Sequence, residues 1–285
     1  MSEDAAAAGW SEHRLVSFDR TPIFYRRYEG PQKSRAVLFI LHGMGEHGGR
    51  YQALAEFLGQ AGIGSLLPDA RGFGRSGGKR GCVQHFEDYR RDLDAVYQQC
   101  VHLFPHKPFF ILGHSFGGLL LSSWLAVRPK IKCHGMVLSS PNFGISIPIP
   151  QWRHWAGLLA SHLAPDFTQD TRVDSTRLTH DAAVYKEYKK DRYIHHRISA
   201  RLYSLLIREL SRAGEIASRI QCPSLVLQAG DDVIVSRRAT ETFFEKLGSR
   251  DKELKIYENL YHEILNETER PAIFARIAEW IQKRI

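Results

Sequence analysis

The sequence has no apolar run close to the 18 or so residues that a bilayer-spanning helix needs, so no transmembrane helix is expected. The first ten residues, Met1 to Trp10, are acidic and alanine-rich. They lack the basic start and apolar stretch of a signal peptide, and read as a frayed tail on a cytoplasmic protein. Cysteine is scarce. Cys82, Cys100, Cys133 and Cys222 have no CxxC spacing and no paired histidines nearby, which speaks against a zinc site. A disulfide framework is not expected in a chain of 285 residues that can bury its own core, so the thiols read as small reduced hydrophobes. Low-complexity linkers and internal repeats are absent too.

The formal charge is +8, but Lys and Arg are spread along the chain without a dense basic run or a nucleic-acid motif. Nucleic acid is therefore not an expected partner. Weak attraction to an anionic lipid surface fits the charge better. Neither G-x-G-x-x-G nor a P-loop lysine pattern occurs, so a nucleotide-binding reading fails.

What the sequence does have is a strand-then-helix alternation, the pattern of a mostly parallel sheet covered on both faces. Short strands are expected near Leu15 to Phe18 and Pro22 to Glu29. Continuous apolar runs follow at Ala36 to Leu41, Ile63 to Leu67, Phe109 to Leu112, Met136 to Leu138, Ser224 to Leu227 and Leu254 to Tyr257. That makes eight strands. Phe86, Tyr89, Leu93, Val96, Tyr97, Cys100, Val101 and Phe104 repeat at helical spacing. Ile273, Phe274, Ile277, Trp280 and Ile281 do likewise, with Pro271 near the helix start.

The alternation breaks between about Asn142 and Ile220, where Pro148, Pro150 and Pro165 punctuate several helical pieces. An inserted cap is expected over 142–220, between core segments 1–141 and 221–285. Trp152, Trp155, Leu158, Leu159 and Leu163 line one face of a helix there. They read first as a face packed on the body below, and second as the lining of an acyl tunnel or a membrane contact.

Gly113-His114-Ser115-Phe116-Gly117 lies between a β-rich run and a helical pattern. A G-x-S-x-G pentapeptide is weak evidence alone, but at a strand-to-helix reversal it places the serine on a strained turn above the sheet. A serine that merely caps a helix is the bland alternative. A hydroxyl needs a base. In such folds an acid and then a histidine follow, each in a loop after a later strand. Asp231 and Asp232 follow the strand ending near Ala229, and His262 follows the strand ending near Tyr257. The tetrahedral oxyanion needs two N–H donors. Phe116 and Met44, in the glycine-rich loop His42 to His47, are the candidates. Asp69 to Ser76, with Arg71, reads as a rigid turn beside the site.

These stretches resemble the monoacylglycerol lipase and lysophospholipase branch of the α/β-hydrolases. The matching segments are HGMGEHGGRY (His42 to Tyr51), DARGFGRSGG (Asp69 to Gly78), GHSFGG (Gly113 to Gly118), LVLQAGDD (Leu225 to Asp232) and LKIYENLYHE (Leu254 to Glu263). The resemblance implies an α/β-hydrolase fold with Ser115 as nucleophile, His262 as base, Asp232 rather than Asp231 as acid, and Met44 and Phe116 as oxyanion donors. It also implies cleavage of a single acyl ester of glycerol without metal or organic cofactor. A mobile cap would admit lipid by transient contact with a membrane surface. Glu46 and Arg50 would hold the head group or, with more weight, the loop itself. Some relatives carry a second histidine three positions after the base; Leu265 stands there, so lysophospholipid, short carboxylic ester and thioester substrates stay open. Dehalogenases and epoxide hydrolases of this fold use an aspartate at the elbow, and Ser115 speaks against both. A receptor on this scaffold would be expected to lack part of the triad.

Overall fold

The computed structural model describes residues 9–31, 33–171 and 173–285. Residues 1–8, most of the expected tail, lie outside these. Trp10, read as part of that tail, instead opens the first strand.

The described residues form ten strands and nine α-helices. The strands are β1 (Trp10–Val16), β2 (Pro22–Tyr28), β3 (Ala36–Leu41), β4 (Ile63–Pro68), β5 (Phe109–His114), β6 (Gly135–Ser139), β7 (Thr168–Asp170), β8 (Arg197–Ser199), β9 (Ser224–Ala229) and β10 (Lys252–Tyr257). The helices are α1 (Gln52–Gln60), α2 (Phe86–Leu103), α3 (Phe116–Val127), α4 (Gln151–Leu163), α5 (Ala182–Lys190), α6 (Ala200–Ser211), α7 (Ala213–Arg219), α8 (Arg237–Lys246) and α9 (Arg270–Gln282).

Eight strands make one sheet, in the order β1-β2-β4-β3-β5-β6-β9-β10. β1 and β2 form an antiparallel hairpin, β2 pairs antiparallel with β4, and every later pair is parallel. The five central strands, β3, β4, β5, β6 and β9, are buried along their whole length. That is why they read as continuous apolar runs, since a sheet covered on both faces has no wet side. Successive side chains point to opposite faces. Phe39 and Ile111 enter one core, with Phe116 and Trp124 of α3; Leu38, Ile40, Phe110 and Leu112 enter the other, with Leu54 of α1 and Trp280 of α9. The four thiols are unbonded, with Cys82 and Cys100 buried.

The segment between β6 and β9 carries α4 to α7 and a two-stranded ribbon of β7 and β8. α4 packs on α6, and here one expectation is overturned. Trp152, Trp155, Leu159 and Leu163 are 67%, 66%, 61% and 77% exposed, so the stripe faces outward instead of packing on the body. The buried positions of α4 are Gly157 and Ser161. A Cβ at Gly157 would already stand 3.0 Å from the Tyr203 ring of α6. Close approach of the two helices selects small residues, and the large ones are left on the outer face. Among the described residues no helix is long and apolar enough to cross a membrane.

Candidate active site

Ser115 sits at the junction of β5 and α3 with φ 51° and ψ −117°. For a residue with a Cβ this conformation costs on the order of 1–3 kcal/mol. Its backbone is pinned on both sides: the Ser115 N–H donates to Ser139 O at 3.0 Å, and its carbonyl accepts from Gly118 N and Asn142 N, each at 3.0 Å. The flanking glycines are steric requirements. A Cβ on Gly113 would lie 2.6 Å from Gly118 Cα, and one on Gly117 would lie 2.4 Å from Leu41 O. Phe116 opens α3, so its N–H has no acceptor within the helix and belongs to the positive end of the helix dipole.

The loop after β3 brings Met44 to the same place. Gly43 N donates to Glu46 Oε1 at 2.6 Å. Gly45, with φ 84°, accepts a hydrogen bond from His195 N at 2.9 Å. Met44 lies between these two fixed points. The Asp69 to Ser76 turn is tied to this loop through Asp69 Oδ1, which accepts from Gly48 N at 2.8 Å. Arg71 turns away, to Asp19 and Asp92.

Asp231 and Asp232, which spacing leaves as rivals and the family resemblance separates in favour of Asp232, diverge in the structure. Asp231 is half exposed and faces Arg177 at 3.0 Å. The Asp232 side chain is fully buried. Its Oδ1 accepts from Ile234 N and Val235 N at 2.9 and 3.0 Å, and its Oδ2 contacts His262 Nδ1 at 2.8 Å. Burial pushes the Asp232 carboxyl up, but the charge and hydrogen bond of His262, with the two backbone donors, outweigh it and hold the group below the usual carboxylate range. With Nδ1 on Asp232, Nε2 is the other ring nitrogen of His262, which shares the lining of one cavity with Ser115.

Burial alone would make His262 a weaker base. Asp232, by charge and hydrogen bond, and the carboxylates of Glu263 and Glu46 reverse this and raise it above its ordinary value of 6.5. The neighbouring His114, with ring centroids 4.8 Å from His262, goes the other way. Burial and the charge of His262 bring it down to about 4. One imidazole of the pair is therefore tuned to take a proton and the other to stay neutral. With His262 read as the general base, which works in its unprotonated form, activity is expected to fall with acidity through an apparent value above about 6.5. A profile of kcat/KM against pH, using a substrate that does not itself ionise, checks this. An acid limb well below 6 would contradict it.

Glu46 and Arg50, expected to hold a head group or the loop, do not act alone. Arg50 reaches Glu46 Oε2 at 2.7 Å and both oxygens of Glu263 at 2.6 Å, and Tyr51 donates to Glu46 Oε1 at 2.6 Å. Burial pushes Glu46 up; Arg50, His114 and His42 bring it down to about 2. Glu46 and Glu263 line the cavity while Arg50 lies behind them. This favours the loop-holding part of the expectation for Arg50. Sequence reasoning missed Glu263, His114 and Tyr188, whose ring lies under the Arg50 guanidinium at 4.9 Å. Glu263 adjoins His262, but nothing in spacing links it to Arg50, 213 residues away.

Ser115, His262, Met44, Glu46 and Glu263 line one cavity of 230 Å³. Its other walls include Ile145, Ile147, Pro148, Ile149, Ile198 and Leu206, with Arg153 also in the lining. Leu265 is packed in the core. Among the described residues no group of three or more His, Cys, Asp or Glu is placed to hold a metal ion.

The Hydrolase_4 family model (serine aminopeptidase, S33) matches residues 32–269. The chain belongs to this family. Rat monoglyceride lipase is 30% identical over 278 residues, covering 95% of this chain and 90% of that protein. Phospholipase YtpA of Bacillus subtilis is 30% identical over 240 residues, covering 84% and 92%. The crystal structure of the monoacylglycerol lipase of Paleococcus ferrophilus superposes with a TM-score of 0.84 at 28% identity, over 92% of this chain and 99% of that one. The fold is that of the α/β-hydrolases. This Hydrolase_4 member is an ester-cleaving hydrolase of the monoglyceride-lipase-like branch.

Proposed function

We propose that the chain hydrolyses the acyl ester of monoacylglycerols to fatty acid and glycerol through an acyl-enzyme on Ser115. His262 Nε2 takes the hydroxyl proton as Oγ attacks the ester carbonyl. Asp232 holds the imidazole in the tautomer with hydrogen on Nδ1 and stabilises the cation that forms. The N–H groups of Phe116 and Met44 receive the oxyanion, and His262 then returns the proton to the departing glycerol oxygen. Water repeats the sequence and frees the acid. The observation that carries this reading is the cavity itself, where Ser115 and His262 share walls with the apolar run Ile145 to Ile149, Ile198 and Leu206. An acyl chain is the natural occupant of such walls.

Residues 142–220 are, in this reading, a cap whose outward stripe meets a lipid surface. Two tryptophans and two leucines on one face, with the Arg153 guanidinium 5.1 Å from the Trp152 ring, suit the interface between water and acyl chains. A second reading, a lysophospholipase, is supported by the likeness to phospholipase YtpA and by the presence of Arg153, a cation, at the cavity lining.

A panel of long-chain monoacylglycerols, lysophospholipids and two-carbon esters tests both. Monoacylglycerols are expected to give the highest kcat/KM; a preference for the phosphorylated substrates favours the second reading, and a preference for two-carbon acyl groups sinks both. Trp152→Ser with Trp155→Ser is expected to lower turnover of monoacylglycerol in anionic vesicles by roughly tenfold or more, given the apolar area removed. Turnover of the soluble two-carbon ester should be unchanged. An equal loss on both substrates would count against membrane contact.

A further inference from the structure

We propose that Glu267 is a positioning residue for His262, and that residues 178–180, within the segment between β6 and β9, belong to the fixed frame of the catalytic centre. The proposal rests on the reading of His262 as the base.

Glu267 is fully buried, and its carboxylate is surrounded by donors from two distant parts of the chain. Oε1 accepts from Tyr261 N and from His180 Nδ1, each at 2.8 Å. Oε2 accepts from His180 N at 2.8 Å and from Thr179 Oγ1 at 3.1 Å. Glu263 N donates to Leu178 O at 2.9 Å. The residue before His262 and the residue after it are thus both fixed by backbone hydrogen bonds, one through Glu267 and one directly to the 178–180 segment. The rings of His180 and Tyr261 stack at 3.7 Å with 22° between their planes. His262 itself makes none of these contacts.

Such an arrangement does one thing: it removes the freedom of the loop that carries the imidazole. Swinging of the Tyr261–Glu263 backbone would break the 2.8 Å contact of Nδ1 with Asp232 and carry Nε2 away from Ser115. Displacement of a reacting group by about 1 Å can cost roughly a hundredfold in rate. A carboxylate is required because each of its oxygens faces a backbone N–H that can only donate, Tyr261 N at Oε1 and His180 N at Oε2. An amide in its place must turn its NH₂ towards either Tyr261 N–H or His180 N–H, and one of these part-buried donors then loses its acceptor.

The test is Glu267→Gln, beside His180→Phe, which keeps an aromatic ring against Tyr261 but lacks the Nδ1 hydrogen. Both are measured for kcat, KM and the pH dependence of kcat/KM, and for the rate of Ser115 labelling by a fluorophosphonate. Glu267→Gln is expected to lower kcat by about ten- to a hundredfold with KM little changed. The acid limb of its profile should move to lower pH, because a looser His262 loses part of the support of Asp232. His180→Phe should show the same two changes at smaller size, and it decides the matter if Glu267→Gln does not fold. Lowered thermal stability with kcat and acid limb unchanged would overturn the proposal. A wild-type protein that neither labels at Ser115 nor turns over ester would instead defeat the assignment of the base on which the proposal depends.

Discussion

Ser115→Ala is expected to lose about six orders of magnitude in kcat and to become inert to a fluorophosphonate probe, with thermal stability close to that of the parent. The magnitude follows from the behaviour of serine hydrolases in which the nucleophile alone is removed. The fold should survive because the turn is held by backbone groups: Ser139 O, Gly118 N and Asn142 N engage the main chain of residue 115 and not its hydroxyl. Alanine at φ 51° inherits the strain of the serine, whereas Ser115→Gly should relieve it. The glycine variant should lose the same activity and gain on the order of 1 kcal/mol in stability. Differential scanning calorimetry read beside the labelling assay separates the two effects. Substantial ester turnover by purified Ser115→Ala would mean that the chemistry lies elsewhere.

The second large effect is expected at Asp232. Asn at this position can still offer an oxygen to Ile234 N and Val235 N, which leaves its NH₂ facing His262 Nδ1. That nitrogen must then act as acceptor, so the proton moves to Nε2, where it points at Ser115 and blocks the base. A loss of about 10⁴-fold in kcat is expected. Asp231→Asn should change kcat little, because the replacement still accepts from Arg177 and the ion pair at this half-exposed position contributes little. Steady-state kinetics on the two single variants is the measurement. A large loss at 231 with a small one at 232 would exchange the roles of the neighbours.

The contrast between these two aspartates marks a limit of what could be read from the chain as text. Adjacent carboxylates after a strand are chemically alike, so the choice of Asp232 rests on the family resemblance; the physical reason lies in the backbone path, which turns one inward to Ile234, Val235 and His262 while the other meets Arg177. The central strands were legible because burial on both faces leaves an unbroken apolar run. β1 was placed too late, starting at Leu15 instead of Trp10, because it is a sheet edge with mostly exposed or half-buried side chains and so carries little pattern. β7 and β8 have three residues each, too few for any periodicity to register. The stripe on α4 shows the opposite error. Helical spacing of large apolar residues was visible, but spacing does not say which side the partner lies on; Gly157 and Ser161, the small residues opposite, held that information. Glu267 and Glu263 carry no signal of their own, since the partners that give them a role, His180 and Arg50, lie 87 and 213 residues away.

β6 and β9 are parallel neighbours in the sheet, so the long excursion between them is a crossover that leaves after Ser139, at the C-terminal end of β6, and rejoins at Ser224, beside Met136 at the other end of the pair. Closure entropy grows only slowly with the length of such a connection, about 0.6 kcal/mol for each doubling, so lengthening or exchanging its middle costs little. With 142–220 read as the cap, we infer that new substrate range is open to replacement of this piece while the proposed catalytic rim keeps its chemistry. The replacement is not unconstrained: it has to bring a carbonyl to the position of Leu178 and an N–H to that of His195, or the rim it is grafted onto loses its alignment.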